Sequence, residues 1–209
     1  MSKGRIAQMA RASPLQGEGH PFKSGFAHPV GDYGSNKEEK EVSRGYRNIR
    51  GGLRPHLQDP YLVRKGYKEP TLCPKCGLVY KNRRWQKILK FVREDAVEVH
   101  KCPACRKIED RYAMGVVHIT GDFYKEHREE ILNMIKNEEK KEVVHNPLDR
   151  IMVINEDGDR VEIETTSENL AIHLGRMLYH SYGGSVEYKF SDEQKLARVF
   201  WHREKKEVR

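Results

Sequence analysis

Hydrophobic residues in the second half of the chain follow patterns that predict regular elements. Residues 113–120 form a short run rich in Val and Ile, which predicts a β-strand. Residues 122–141 are highly charged, and Ile131, Leu132 and Ile135 would share one face of a helix. This part of the chain is therefore predicted to begin with a strand followed by a helix.

Residues 150–155 and 160–165 form the next two predicted strands. In the second of them, Val161, Ile163 and Thr165 alternate with charged neighbours, as in a strand with one buried face. Asp157 and Gly158 lie between the two runs, and this dipeptide is typical of a tight turn. We therefore predict a β-hairpin over residues 150–165.

A second helix is predicted after this hairpin. Thr165 and Glu168 have the spacing of a capping box, and the pair Gly183-Gly184 marks the helix end. The apolar residues at helical spacing are Leu170, Leu174, Met177 and Leu178. A hairpin of residues 185–190 and 196–202 follows. The order β-α-β-β-α-β-β predicts an α+β domain over residues 113–209, with helices on one face of a mainly antiparallel sheet.

Residues 1–70 show no such periodicity. They are rich in Gly, Pro, Ser, His and Arg and contain few aliphatic clusters. Such a segment cannot bury enough surface to offset the entropy lost on ordering. We predict a disordered basic arm that is ordered only on a partner, and a plain flexible tail is the alternative.

The four cysteines of the chain form two Cys-x-x-Cys pairs separated by 25 residues: Cys73, Cys76, Cys102 and Cys105. Two intervening residues allow each pair to wrap one side of a metal ion, and Gly77 permits the tight turn. Four thiolates complete a tetrahedral shell and leave no position for water. We therefore predict one structural Zn²⁺ in a ribbon of residues 71–112.

Other chemistries of Cys-x-x-Cys motifs fit this sequence less well. A redox pair of the thioredoxin type lies in a βαβ unit, which the pattern here does not predict. An iron–sulfur cluster usually needs a more closely spaced run of cysteines. Three parts are thus predicted: the arm 1–70, the ribbon 71–112 and the α+β domain 113–209.

Charge is distributed unevenly over the three regions. Residues 1–72 contain 13 Lys and Arg against 7 Asp and Glu, and residues 73–112 contain 11 against 5. Residues 113–209 contain 15 against 19, so the sign of the net charge reverses. A requirement for solubility alone does not explain this separation. The pattern indicates a polyanionic partner for the basic regions and a different role for the acidic domain.

Aromatic residues lie between the basic residues of the arm and ribbon, and such segments stack on bases and pair with phosphates of RNA. The candidate RNA-binding residues are Arg44, Arg47, Arg50, Arg54, Arg64 and Lys65 in the arm and Lys75, Lys81, Arg83, Arg84, Trp85, Lys87, Arg106 and Lys107 in the ribbon. For Trp85, packing in the core of the ribbon is an open alternative.

The sequence contains no recognisable catalytic motif. It has no Walker-type phosphate loop, no His-Glu-x-x-His and no local Ser, His and Asp set. We therefore predict that the protein is not an enzyme and binds no small-molecule substrate. The sequence also has no run of 18 apolar residues and no apolar segment after Met1, so a cytoplasmic protein without a membrane partner is expected.

Several motifs of residues 60–203 resemble a family of proteins. They are Cys73-Pro-Lys-Cys76-Gly77, Arg84-Trp85, Cys102-Pro-Ala-Cys105-Arg106, Asn146-Pro-Leu-Asp-Arg150, Thr165-Thr-Ser-Glu-Asn-Leu-Ala171 and Gly183-Gly184. They resemble a group of little-characterised bacterial zinc-ribbon proteins. That group is similar to the adaptor family of eukaryotes and archaea that binds the large ribosomal subunit and exports it from the nucleus. The adaptors have more Cys-x-x-Cys pairs and longer chains.

The resemblance implies a position on the intersubunit face of the large ribosomal subunit. We accordingly expect a ribosome-associated factor that binds rRNA through the ribbon and the arm. The arm would lie in a functional channel of the ribosome, and the protein would act in ribosome hibernation. Ribosomal proteins are a further partner considered for the acidic C-terminal domain. The alternatives are a large-subunit assembly factor and a zinc-ribbon DNA-binding transcription regulator.

Overall fold

The computed structural model describes residues 58–90 and 93–205, which belong to one compact unit of the chain and form two β-sheets and four α-helices. Most of the predicted arm lies outside the described residues. The same applies to four of its candidate RNA-binding residues, which are Arg44, Arg47, Arg50 and Arg54.

The first sheet contains four short strands: β1 (Thr71–Leu72), β2 (Val79–Lys81), β3 (Arg84–Gln86) and β4 (Glu98–Val99). Their order is β3-β2-β1-β4, and β4 runs parallel to β1 while the other pairs are antiparallel. A 3₁₀ turn (Arg93–Asp95) precedes β4, and helix α1 (Pro103–Asp110) follows it. This first sheet and α1 form the ribbon.

The second sheet contains five strands: β5 (Gly115–Thr120), β6 (Ile151–Asp157), β7 (Arg160–Thr165), β8 (Ser185–Phe190) and β9 (Ala197–His202). The helices of this region are α2 (Asp122–Glu126), α3 (Arg128–His145) and α4 (Glu168–Tyr182). The strand order is β6-β7-β5-β9-β8, in which β5 and β9 are parallel and the other pairs are antiparallel. The α+β class predicted from the sequence is confirmed, and both sheets are mixed.

One face of the second sheet carries its hydrophobic core. Alternate residues of β5, β7 and β9 are fully buried, among them Val117, Ile163 and Val199. Leu170, Leu174 and Leu178 of α4 pack on these strands, together with Ile131 and Ile135 of α3. The period-two pattern of the strands and the helical pattern of the apolar residues thus meet in one layer of packing.

The region between β5 and β6 differs from the prediction of one helix. Residues 122–145 form α2 and α3, because His127 has φ −112° and ψ 22° and interrupts the helical backbone between them. Helix α3 also continues four residues beyond the predicted end at residue 141.

The N-cap of α4 also differs from the prediction. Thr165 is fully buried in β7, and its hydroxyl donates to the backbone oxygens of Gly115 and Ser167. Ser167 is the N-cap instead, since its Oγ accepts a hydrogen bond from the Leu170 amide. The predicted end of α4 is correct, with Gly183 as C-cap at φ 70°.

None of the helices in the described residues is both long enough and apolar enough to cross a bilayer.

Candidate metal centre and nucleic-acid interface

The four cysteines lie together in the ribbon. The Sγ atoms of Cys73, Cys76, Cys102 and Cys105 all lie within 4.8 Å of one another, and none forms a disulfide. Cys73, Cys102 and Cys105 are buried, whereas Cys76 is half-buried. This arrangement of four sulfur atoms could hold one metal ion, as the spacing of the cysteines predicted.

The first pair lies in the tight connection between β1 and β2. The amide of Cys73 donates to the Leu78 carbonyl at 2.7 Å, and the Gly77 amide donates to the Cys73 carbonyl at 3.0 Å. Gly77 has φ +72°, a left-handed conformation that glycine adopts without steric cost. The turn therefore directs both side chains of the pair toward the same point.

The second pair lies at the N-terminus of α1, where the sequence predicted a second knuckle like the first. Cys102 is the N-cap residue and Pro103 occupies the first turn. The Sγ of Cys102 accepts from the Cys105 amide at 3.5 Å, and the Cys102 amide donates to the Sγ of Cys73 at 3.3 Å. The positive end of the α1 dipole thus faces the sulfur atoms and favours thiolates.

Arg150 adds a positive charge to the cysteine cluster from the second sheet. Its Nη2 lies 3.4 Å from the Sγ of Cys76, and its Nη1 lies 3.7 Å from the Sγ of Cys105. The pKa of Cys76 is lowered to about 4, first by the hydrogen bond with the Cys102 thiol and further by the Arg150 guanidinium. Arg150 is not among the site residues predicted from the sequence, and it lies 74 residues from Cys76 along the chain.

Lys107 of α1 forms a second link between ribbon and second sheet. Its Nζ forms an ion pair with Asp59 and donates to the Thr166 carbonyl at 2.9 Å. The side chain of Lys107 is only 6% exposed, and its pKa is lowered by burial. Although Lys107 was predicted to bind RNA, the structure places it inside the protein.

Trp85 is also buried, at 6% exposure, and it packs in the ribbon core. Its ring lies 5.2 Å from that of Tyr67 and 5.5 Å from that of Tyr80, with tilted or edge-on geometry. This position agrees with the alternative that Trp85 packs in the ribbon core instead of stacking on RNA, because a buried indole offers no free face to a base. Its Nε1 has no hydrogen-bond partner among the described residues.

Most other candidate RNA-binding residues of the described chain are exposed: Arg64, Lys65, Lys75, Lys81, Arg83, Arg84 and Lys87. Four of these, Lys81, Arg83, Arg84 and Lys87, lie on or beside the β2–β3 hairpin. Arg106 is half-buried, with its guanidinium 5.0 Å from the ring centre of Tyr61. The structure thus groups part of the predicted set at the exposed surface of the hairpin, whereas Trp85 is buried within the hairpin and Lys107 and Arg106 lie on α1.

The two regions also differ in how their charges are paired. Seven Lys and Arg residues of the second sheet and its helices pair with carboxylates: Lys125, Arg128, Lys141, Arg160, Lys189, Lys195 and Lys205. Within residues 58–90 and 93–112, Lys101 pairs with Glu109 and Lys107 with Asp59. The hairpin cations Lys81, Arg83 and Arg84 form no ion pair with any described residue.

Comparison of the chain with known proteins found no matching family model, no matching curated protein and no matching solved structure.

Proposed function

We propose that the four cysteines hold one structural Zn²⁺. The donor set consists of sulfur atoms alone, which suits Zn²⁺ and leaves no coordination position for water or substrate. Amide groups and Arg150 surround the sulfur atoms with positive charge. The ion would hold β1, β2 and α1 together and perform no chemistry.

We further propose that the ribbon binds RNA. The observation that carries this proposal is the exposed group of cations at the β2–β3 hairpin, Lys81, Arg83 and Arg84, which form no ion pair within the part of the chain that the structure describes. Cations that have no carboxylate partner are free to replace counterions on a phosphate backbone. The small metal-stiffened sheet would hold them in a fixed arrangement.

A DNA-binding regulator is less well supported by the position of α1. In such proteins a helix normally enters the major groove. Here the segment before β1 covers α1. Tyr61 of that segment stacks on Arg106, and its hydroxyl donates a hydrogen bond to Asp110 at 2.8 Å. Lys107 of the same helix is buried against Asp59. Helix α1 thus lacks the free basic face that a recognition helix requires.

The ribosome is the RNA partner that we propose. The sequence predicts that the basic arm of residues 1–70, most of which lies outside the described residues, is ordered only on a partner that contacts much of its length. Ribosomal channels normally filled by tRNA, mRNA or nascent peptide offer such a surface. Together with the resemblance to the large-subunit adaptors, this favours docking on the intersubunit face of the large subunit in dormant ribosomes.

The acidic second sheet has a different role in this proposal. Seven of its Lys and Arg residues are paired with carboxylates, so it offers less free positive charge to RNA. We propose that this region faces ribosomal proteins.

The RNA proposal is tested by titrating purified rRNA with the full chain at several salt concentrations. Arg83→Ala/Arg84→Ala should weaken binding and reduce the salt slope by about 0.7 to 0.9 for each lost phosphate contact. Lys136→Ala/Lys140→Ala removes the same charge from the exposed face of α3 and serves as the control. An equal effect of both double variants, or affinity independent of salt, contradicts the proposed site.

The ribosome proposal is tested by sedimentation of cell lysates with and without RNase. A hibernation factor should move with idle 70S particles, whereas an assembly factor should move with precursor subunits. Binding of tRNA to purified ribosomes should fall as the protein is added. If tRNA binding is unchanged when the ribosomes are saturated with the protein, the arm does not block the channel that tRNA occupies.

A further inference from the structure

The turn between β2 and β3 has an unusual backbone. Lys81 pairs with Arg84 across the hairpin, so Asn82 and Arg83 form a two-residue turn. Their φ angles are 55° and 59°, both in the left-handed region. Two-residue hairpin turns of this type favour Asn followed by Gly. Asparagine tolerates the left-handed region, but an arginine there is strained by its Cβ.

Glu69 holds this turn in place from outside the hairpin. Its Oε2 accepts from the Asn82 amide at 2.8 Å, and its Oε1 accepts from the Arg83 amide at 2.8 Å. Both amides point away from the hairpin ladder, and one carboxylate satisfies the two of them. Hydrogen bonds from amides to a carboxylate are stronger than those between neutral groups, so they stabilise the strained conformation.

The position of Glu69 is unexpected on electrostatic grounds alone. A carboxylate beside Lys81, Arg83 and Arg84 lowers the positive potential that would attract a polyanion. Yet Glu69 forms no ion pair with these three cations in the described chain, and it binds the turn backbone instead. Its contacts therefore orient the turn, and the side chains of the three cations stay exposed.

We propose that the β2–β3 turn is a preformed phosphate-binding tip for RNA and that Glu69 is its positioning residue. This inference rests on the proposed RNA-binding function. The strained residue is an arginine where glycine would be most stable, and strain of this kind is maintained at functional sites. Glu69 fixes the backbone, Arg83 projects from the turn, and Lys81 and Arg84 flank it.

The test compares Glu69→Ala and Glu69→Gln with wild type in binding a labelled RNA duplex. Both variants make the protein more positive by one charge, so simple electrostatic attraction predicts tighter binding. The positioning role predicts the opposite, with about tenfold weaker binding for Glu69→Ala. Glu69→Gln should lie between that variant and wild type, because its amide oxygen can still accept one hydrogen bond.

Two turn variants separate backbone strain from charge. Asn82→Gly keeps a residue suited to the left-handed region at the first turn position without changing charge, so RNA affinity should stay within about twofold of wild type. Arg83→Gly relieves the strain and removes the cation, so it should raise the melting temperature while weakening binding about tenfold. Melting curves and metal content of all four variants identify any variant that has lost its fold. If the Glu69 variants have lost it, RNA binding by Arg83→Gly becomes the test of the proposed tip.

The possible outcomes distinguish this inference from the function on which it rests. If wild type binds RNA, Glu69→Ala binds it as tightly or more tightly and Arg83→Gly binds it more weakly, the positioning role is wrong and the RNA-binding proposal stands. If Arg83→Gly also binds RNA as tightly as wild type, the turn is not the phosphate-binding tip. If wild type does not bind RNA, both proposals are wrong. Equal affinity for a DNA duplex of matching sequence, with the same losses in the variants, overturns the assignment to RNA.

Discussion

The guanidinium of Arg150 donates a hydrogen bond to the Sγ of Cys76 at 3.4 Å, and this contact joins the second sheet to the cysteine cluster. Arg150 is held on its own side by hydrogen bonds from its Nε to the Pro147 carbonyl and from its amide to Thr166 Oγ1, both at 2.8 Å. Thr166 also accepts from Lys107 through its carbonyl. The cysteine cluster and the second sheet therefore share one polar network.

Replacing Arg150 is expected to weaken metal binding. Arg150→Gln removes the positive charge beside two sulfur atoms, and residues surrounding metal ligands typically change affinity by about 10- to 100-fold. Arg150→Lys should lose less. Arg160→Gln, an exposed arginine of β7, is the matched control. Competition with a chromogenic chelator measures the affinity, and equal values for Arg150→Gln and wild type would refute the role of Arg150.

Removal of the metal is expected to unfold the ribbon and to destabilise the second sheet without unfolding it. Structural zinc sites contribute about 10 to 16 kcal/mol of apparent binding free energy, so residues 71–112 cannot keep their fold without the ion. The second sheet has its own core and loses its contacts with the ribbon, among them those of Arg150 and Lys107.

Amide hydrogen exchange with and without chelator checks this expectation, together with elemental analysis for one zinc per chain. Cys73→Ser should reproduce the chelator result. Protection that persists in β1 and β2 after complete metal removal contradicts a structural role for the ion.

The buried pair of Asp59 and Lys107 is expected to show strong coupling. Asp59→Ala leaves a buried ammonium whose main partner is the Thr166 carbonyl, which should cost about 3 to 5 kcal/mol of the free energy of unfolding. Asp59→Ala/Lys107→Met removes both charges and should recover most of that loss. Urea unfolding of wild type, both single variants and the double variant measures the coupling, and additive effects would argue against it.

Trp85→Phe tests packing against RNA stacking at the centre of the ribbon. If Trp85 only packs, the shorter ring should lower the free energy of unfolding by about 1 to 3 kcal/mol and leave RNA affinity unchanged. Thermal melting and RNA titration measure the two effects separately. A loss of RNA affinity in a folded Trp85→Phe variant would restore the stacking interpretation.

Gly175 is expected to be required for the packing of α4 on β9. A Cβ at this position would lie 2.4 Å from Cγ1 of Val199 and 3.4 Å from the Tyr188 ring. Gly175→Ala gains about 1 kcal/mol in helix propensity, but overpacking costs about 1 to 3 kcal/mol, so a lower melting temperature is expected. Ser181→Ala, an exposed position of the same helix, should not lower it.

Local patterns were sufficient for much of the architecture. The alternation of Val161 and Ile163 predicted β7 with its observed bounds, and the last hairpin was predicted within one residue. Helix α4 followed from Leu170, Leu174 and Leu178. These features depend on neighbours two to four residues apart, so a sequence pattern contains them.

Features that depend on competing local partners were predicted less well. Thr165 and Ser167 are both possible N-caps, and only the burial of Thr165 against Gly115 leaves the role to Ser167.

The parallel pairing of β5 and β9 joins strands 82 residues apart, as between Gly115 and Ala197. No local pattern records which distant strand will complete a sheet.

The candidate site shows the same division. The sequence by itself determined that the four cysteines could form one metal-binding cluster, because two Cys-x-x-Cys pairs have the spacing typical of such a site. Only the tertiary structure decided that Arg150 reaches the sulfur atoms, that Glu69 holds the turn of Arg83, and that Lys107 and Trp85 are buried. Whether a charged or aromatic side chain faces solvent or the interior depends on residues that folding brings to it from far along the chain, and composition carries no information about them.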